Sequence, residues 1–153
     1  MSDTTKSFKL PKEFAEKWIK ALESGEYKQG SDTLVGMAPD GKSEYCCLGV
    51  AGKICGASDE DMRGSNYLEK GEVYCIKSGI PKELLSSVGV EFKQNELSDI
   101  LSQMNDGLDK PNYEGFMQHY PNLKFPVDMK SRGIYHFSFK EIAQFIRDNI
   151  ELV

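Results

Sequence analysis

Glu44–Gly56, EYCCLGVAGKICG, decides the reading of the fold. Two adjacent cysteines open a run of small residues that Gly56 closes. Leu48, Ala51, Ile54 and Cys55 fall at i, i+3, i+6 and i+7, which predicts a helix with one narrow apolar stripe. Gly49, Ala51 and Gly52 carry almost no side chain, so a neighbouring element can approach the helix backbone closely. Each internal glycine costs roughly 1 kcal/mol relative to alanine, so a packing or ligand-approach reason is expected. Cys46 and Cys47 stand at the helix entrance, where free N–H groups and the positive dipole end favour a thiolate or a bound anion.

Outward from this run, Thr33–Met37 reads as a strand and Ala38-Pro39-Asp40-Gly41 as a turn, giving a hairpin that feeds the helix. Upstream, Pro11 suits a first helical turn. Phe14, Trp18, Ala21 and Leu22 follow at 0, +4, +7 and +8 before Gly25 ends the helix. Residues 1–9 are polar and expected to fray. Gly25 and Gly30 bracket Tyr27, Lys28 and Gln29, a short polar loop. Downstream, Pro81 starts a short helix, and Asn95 caps a helix whose Leu97, Ile100, Leu101 and Met104 repeat at 0, +3, +4 and +7. It ends at Asn105-Asp106-Gly107. Residues 107–136 hold three prolines, five aromatic residues and both histidines, and read as a long ordered excursion. Ser138 and Glu141 form a capping box for a last helix, with Phe137 and Ile142 as its staple and Ile142, Phe145, Ile146 and Ile150 as its buried stripe.

The stretches WIKALESGEYKQG, YCCLGVAGKICG, LSQMNDG and FSFKEIAQFIRDNI resemble a family of small uncharacterised proteins found in bacteriophages, prophages and their hosts. The resemblance covers about a third of the chain, in the same order. It implies a shared fold and a phage connection, and it assigns no catalytic residue.

At 153 residues, with 39% hydrophobic and 28% charged residues, the chain suits one globular domain with a real core. The expected fold is α+β: a single compact, mostly helical domain over 10–153, with a small antiparallel sheet from residues 31–46 and 66–76. A net charge of −5 argues against general nucleic-acid binding. No apolar run approaches a membrane span, and the start lacks a signal peptide's apolar core, so a cytoplasmic location is expected, that of the host cell for a phage protein. The four cysteines, Cys46, Cys47, Cys55 and Cys75, are accordingly expected as reduced thiols. C-x-x-C, H-E-x-x-H, Walker and dinucleotide motifs are all missing, so neither a metal nor a cofactor is expected.

Three groups remain as candidate ligand-binding residues: Tyr27, Lys28 and Gln29; Cys46 and Cys47; and Asn105 and Asp106. The leading expectation is a non-enzymatic, phage-type binding protein for a small polar, nucleotide-like ligand or a host protein, acting against host defence. One alternative is a cysteine-dependent hydrolase or transferase with Cys47 as nucleophile. Its base would be His119 or His136, with Asn105 or Asp106 orienting it. The other is a structural or interaction protein without a pocket.

Overall fold

The computed structural model describes residues 8–10, 12–31, 35–54, 59–62, 96–130 and 133–152. In chain order these form β1 (Phe8–Leu10), α1 (Lys12–Ser24), β2 (Val35–Met37), β3 (Ser43–Tyr45), α2 (Cys47–Ile54), α3 (Asp59–Met62), α4 (Glu96–Asp106), β4 (Leu108–Asp109), α5 (Lys110–His119), β5 (Ile134–Tyr135), α6 (Phe139–Asn149) and β6 (Ile150–Leu152). The expected mostly helical α+β architecture is what the chain adopts. The second hairpin expected at 66–76, the Pro81 helix, the Asn95 cap, Cys55 and Cys75 lie outside the described residues.

Helix α2 sits at the centre. Every residue from Cys47 to Gly52 is buried, so the helix is enclosed on all sides rather than along the one stripe its spacing predicts. Helices α1 and α4 pack on it, and α6 packs on both of those. Small residues at 49, 51 and 52 suit that crowded position, since large side chains would hold the neighbours away. The amphipathic helices close the core around it. Trp18 and Leu22 come from α1, Ile100, Leu101 and Met104 from α4, and Ile142, Phe145 and Ile146 from α6, all buried. The capping box at Ser138 and Glu141 forms in full.

Among the described residues the strands form three separate two-stranded pairs. β2 and β3 pair antiparallel as expected, with Val35 opposite Tyr45. Their turn is closed by Gly41 N–H donating to Ala38 O at 2.9 Å. Gly41 adopts φ +85°, a left-handed value that glycine enters at little cost. β1 and β6 pair in parallel, Phe8 against Ile150 and Leu10 against Leu152. The stretch expected to fray therefore ends in a strand from Phe8 onward. The reason is burial: Phe8 and Leu10 are 5% and 3% exposed.

The 107–136 excursion contains a helix that the sequence reading lacked. Asp109 caps α5 by accepting from Asn112 N–H at 2.8 Å, and Pro111 occupies its first turn. An acidic cap, an early proline and Tyr113, Phe116, Met117 and Tyr120 at 0, +3, +4 and +7 were the available signal. The base of the excursion is clasped by β4 and β5, with Leu108 opposite Tyr135. Asn149 latches the loop beyond α5 in both directions, accepting from Lys124 N–H at 2.7 Å and donating to Lys124 O at 2.8 Å.

Candidate functional site

The loop before the hairpin is held flat against β3. Gly30 N–H donates to Tyr45 O and Tyr45 N–H to Lys28 O, both at 2.8 Å. A Cβ at Gly30 would lie 2.7 Å from the Glu44 Cβ, so position 30 has no room for a side chain. This close approach aims Gln29 inward, where its amide is bound on every side. Nε2 donates to Asn105 Oδ1 and to Phe137 O, each at 2.9 Å, and Oε1 accepts from Phe139 N–H at 3.1 Å.

Asn105, 2% exposed at the end of α4, is the other half of the knot. Its Nδ2 donates to Gly30 O and to Asp106 Oδ1, both at 2.8 Å. Its Oδ1 accepts from Gln29 and, at 3.3 Å, from Cys47 N–H. Two side-chain amides thus supply oxygens to the first helical N–H of α2 (Cys47) and of α6 (Phe139). Helix starts leave such donors orphaned, and here other segments of the chain satisfy them. Both N–H bonds of each amide are used.

The cysteines belong to the same knot. Cys46 acts as an N-cap through sulfur, its Sγ accepting from Gly49 N–H at 3.4 Å. Cys47 is fully buried, and its thiol donates to Leu101 O at 3.5 Å. Its carbonyl accepts from Trp18 Nε1–H at 3.0 Å, which ties α1 to the assembly. Burial pushes the Cys46 thiol up to about 11. Burial, then the neighbouring Cys46 and Asp106, pushes Cys47 well above the ordinary thiol range. Both are free thiols. The helix start expected to favour a thiolate instead caps itself with neutral groups: an amide oxygen and a protonated sulfur.

Of the seven candidate residues, Gln29, Cys46, Cys47, Asn105 and Asp106 are brought together. Tyr27 and Lys28 lie on the adjoining hairpin side. The Tyr27 ring meets Tyr45 edge-on at 5.3 Å, and Lys28 reaches Asp40 at 3.5 Å. His119 and His136 are both exposed. The His136 ring stands beside Gly107, while the Cys47 thiol is directed at the Leu101 carbonyl. Every stretch that carried the family resemblance contributes to this knot: Trp18, Gln29-Gly30, Cys46-Cys47, Asn105-Asp106 and the backbone of Phe137–Phe139. Sequence reasoning missed Gly30's contact with Glu44 and the partnership of Gln29 with Asn105, 76 positions away.

A second polar cluster lies at the far end of α2. Asp59 accepts from Tyr45 Oη at 2.9 Å and Ser43 Oγ at 3.1 Å, and pairs with Lys53 at 3.0 Å. Burial raises the Asp59 carboxyl, but the Lys53 and Tyr45 bonds outweigh it and leave it below its ordinary value. Among the described residues, no group of three or more His, Cys, Asp or Glu is placed to hold a metal ion. Among them also, no helix is long and apolar enough to cross a membrane.

A family model described as a domain of unknown function, DUF8296, matches residues 10–150. No curated protein and no solved structure matches the chain.

Proposed function

The chain belongs to the DUF8296 family, and we propose that it is a non-enzymatic binding protein. The observation that carries this reading is the state of Cys47: fully buried, with a raised thiol that donates to a backbone carbonyl. A nucleophilic cysteine needs a thiolate within reach of substrate and of a base. Cys47 is buried with its proton held, and among the described residues no base is hydrogen-bonded to it, which weighs against the hydrolase or transferase alternative.

In this reading the ligand is a small polar molecule or a host protein, bound where the knot meets the surface. Gln29 and Asn105 would meet a ligand only by giving up bonds they already make. They therefore hold in place the neighbouring half-buried Tyr27 and Asp106 and the exposed Lys28, the groups that would meet the ligand. The phage association rests on the sequence resemblance alone, and with it the role against host defence in the host cytoplasm.

The test incubates the protein with a nucleotide and metabolite extract and, separately, with host lysate. Stoichiometric retention of a species released intact on denaturation, unchanged in Cys47→Ser, is the expected result. A product that accumulates beyond one equivalent and disappears in Cys47→Ser would sink the proposal.

A further inference from the structure

Helix α5 differs from α1, α2 and α6 in burying none of its residues. Lys110, Tyr113, Glu114, Met117 and Gln118 recur at 0, +3, +4, +7 and +8, so they share one face. With Lys130 from the following loop they line an open groove of about 560 Å³. Tyr113 and Met117 form its apolar floor and pack from behind against the core. The Tyr113 ring meets Phe125 edge-on at 5.3 Å, so the floor is braced rather than loose. Lys110 and Lys130 are exposed, and among the described residues neither ammonium has a carboxylate partner. Ile134, 67% exposed, pairs with Asp109 across the β4–β5 ladder, outside the groove's lining.

We propose that this groove docks an acidic segment of a partner protein, with an apolar side chain seated on Tyr113 and Met117 and carboxylates at Lys110 and Lys130. Charge decides the occupant. The chain carries a net charge of −5, yet among the described residues that line the groove two are lysines without a carboxylate partner and one, Glu114, is a carboxylate. The nearby Asp109 and Asp128 carboxylates are engaged by the backbone N–H groups of Asn112 and Lys130. Attraction to an acidic partner is therefore local, and repulsion by Glu114 directs the partner's acids to the two lysines. An open groove with an apolar centre and a charged rim suits an extended segment. The inference rests on the binding-protein reading and locates a contact surface that the knot residues do not supply.

The probe is a random octapeptide library displayed against the full chain at about physiological ionic strength. Recovered peptides are expected to carry Asp or Glu flanking Leu, Phe or Trp, and to bind more tightly as salt is lowered. The double variant Lys110→Glu, Lys130→Glu should weaken them roughly ten-fold or more. Its fold should survive, since both side chains are exposed and a glutamate in the first turn of α5 suits the helix dipole; circular dichroism checks this. Recovery of no peptide, of peptides without acids, or of peptides indifferent to the double variant overturns the proposal. So does a dimer in sedimentation that the double variant dissolves, because the occupant would then be a second copy. Retention of a metabolite or lysate species alongside failed peptide selection would sink the groove alone and leave the binding reading standing.

Discussion

Asn105 and Gln29 each satisfy buried groups that belong to other segments of the chain. Asn105→Ala removes the bonds that Asn105 makes to one N–H of the Gln29 amide, to the Gly30 carbonyl and to the Cys47 N–H. An unsatisfied buried group costs about 1–3 kcal/mol, so the loss should reach about 3 kcal/mol or more. Gln29→Glu should damage the fold as well, because a carboxylate has no N–H to offer Asn105 Oδ1 or Phe137 O. Urea midpoints at unchanged slope measure both. A change below about 1 kcal/mol in each would mean that water replaces the amides. The thiols make a second prediction. Cys46 is raised from 9.0 to about 11 and Cys47 well above 9.0, so the native state holds protons that the unfolded chain releases. Stability contributed by the neutral thiols is thus complete below about pH 9 and is lost as pH rises from there through the folded values. Unfolding free energy should decline across that window, and Cys46→Ala should make the decline shallower. Native protein at pH 8 should leave both thiols unmodified by iodoacetamide, whereas urea-unfolded protein should react at both.

Helices α2 and α6 meet the rest of the molecule differently at their starts. α6 carries its own capping box, so Ser138→Ala should cost about 0.5–2 kcal/mol. Ile146, fully buried on its inner face, should cost about 2–5 kcal/mol as alanine. Thermal melts of the two variants check the order, and equal negligible shifts would mean that α6 is loosely attached. α2 has only the weak local cap of the Cys46 sulfur, and its first N–H borrows Asn105 from α4. Its formation therefore depends on the arrival of a segment 58 residues away. A short helix with two internal glycines is marginal alone, and its stability here comes from enclosure by α1 and α4.

At the scale of the whole molecule, the two ends of the described chain close on one another. β1 and β6 pair in parallel, and the Phe8 ring meets the Tyr120 ring beyond α5 at a tilt of 50°, centroids 5.0 Å apart. Burying a large apolar side chain contributes about 1.5–3 kcal/mol, so removing residues 1–10, with Phe8 and Leu10, should cost about 3–6 kcal/mol. Against a total of about 5–15 kcal/mol typical of such domains, that is a large share. Calorimetry of the truncated chain should show a markedly lower melting temperature. An unchanged transition would mean that the first strand contributes nothing to the core.

Periodicity placed α1, α4 and α6 and much of their buried faces, because an amphipathic helix writes its core side into its own spacing. On α1 the buried residues also include Ala15 and Ile19, while Phe14 and Ala21 are half-buried. Turn chemistry at Pro39-Asp40-Gly41 placed the hairpin, and a capping box placed the start of α6, since both are local devices of a few residues. The candidate residues Gln29, Cys46, Cys47, Asn105 and Asp106 were legible as separate polar or small-residue signals, but not as one network. Their partnerships span 58 to 110 positions, and no local pattern records a bond between segments so far apart. The same limit hid the β1–β6 pairing, where a three-residue strand is stabilised by a partner at the other end of the chain. The sequence by itself determined that α1, α2, α4 and α6 are helical and that α1, α4 and α6 each carry one apolar face. Only the tertiary structure decided that the start of α2 is filled by Asn105 and that its thiols stay protonated, because burial and long-range hydrogen bonding exist only once the segments meet.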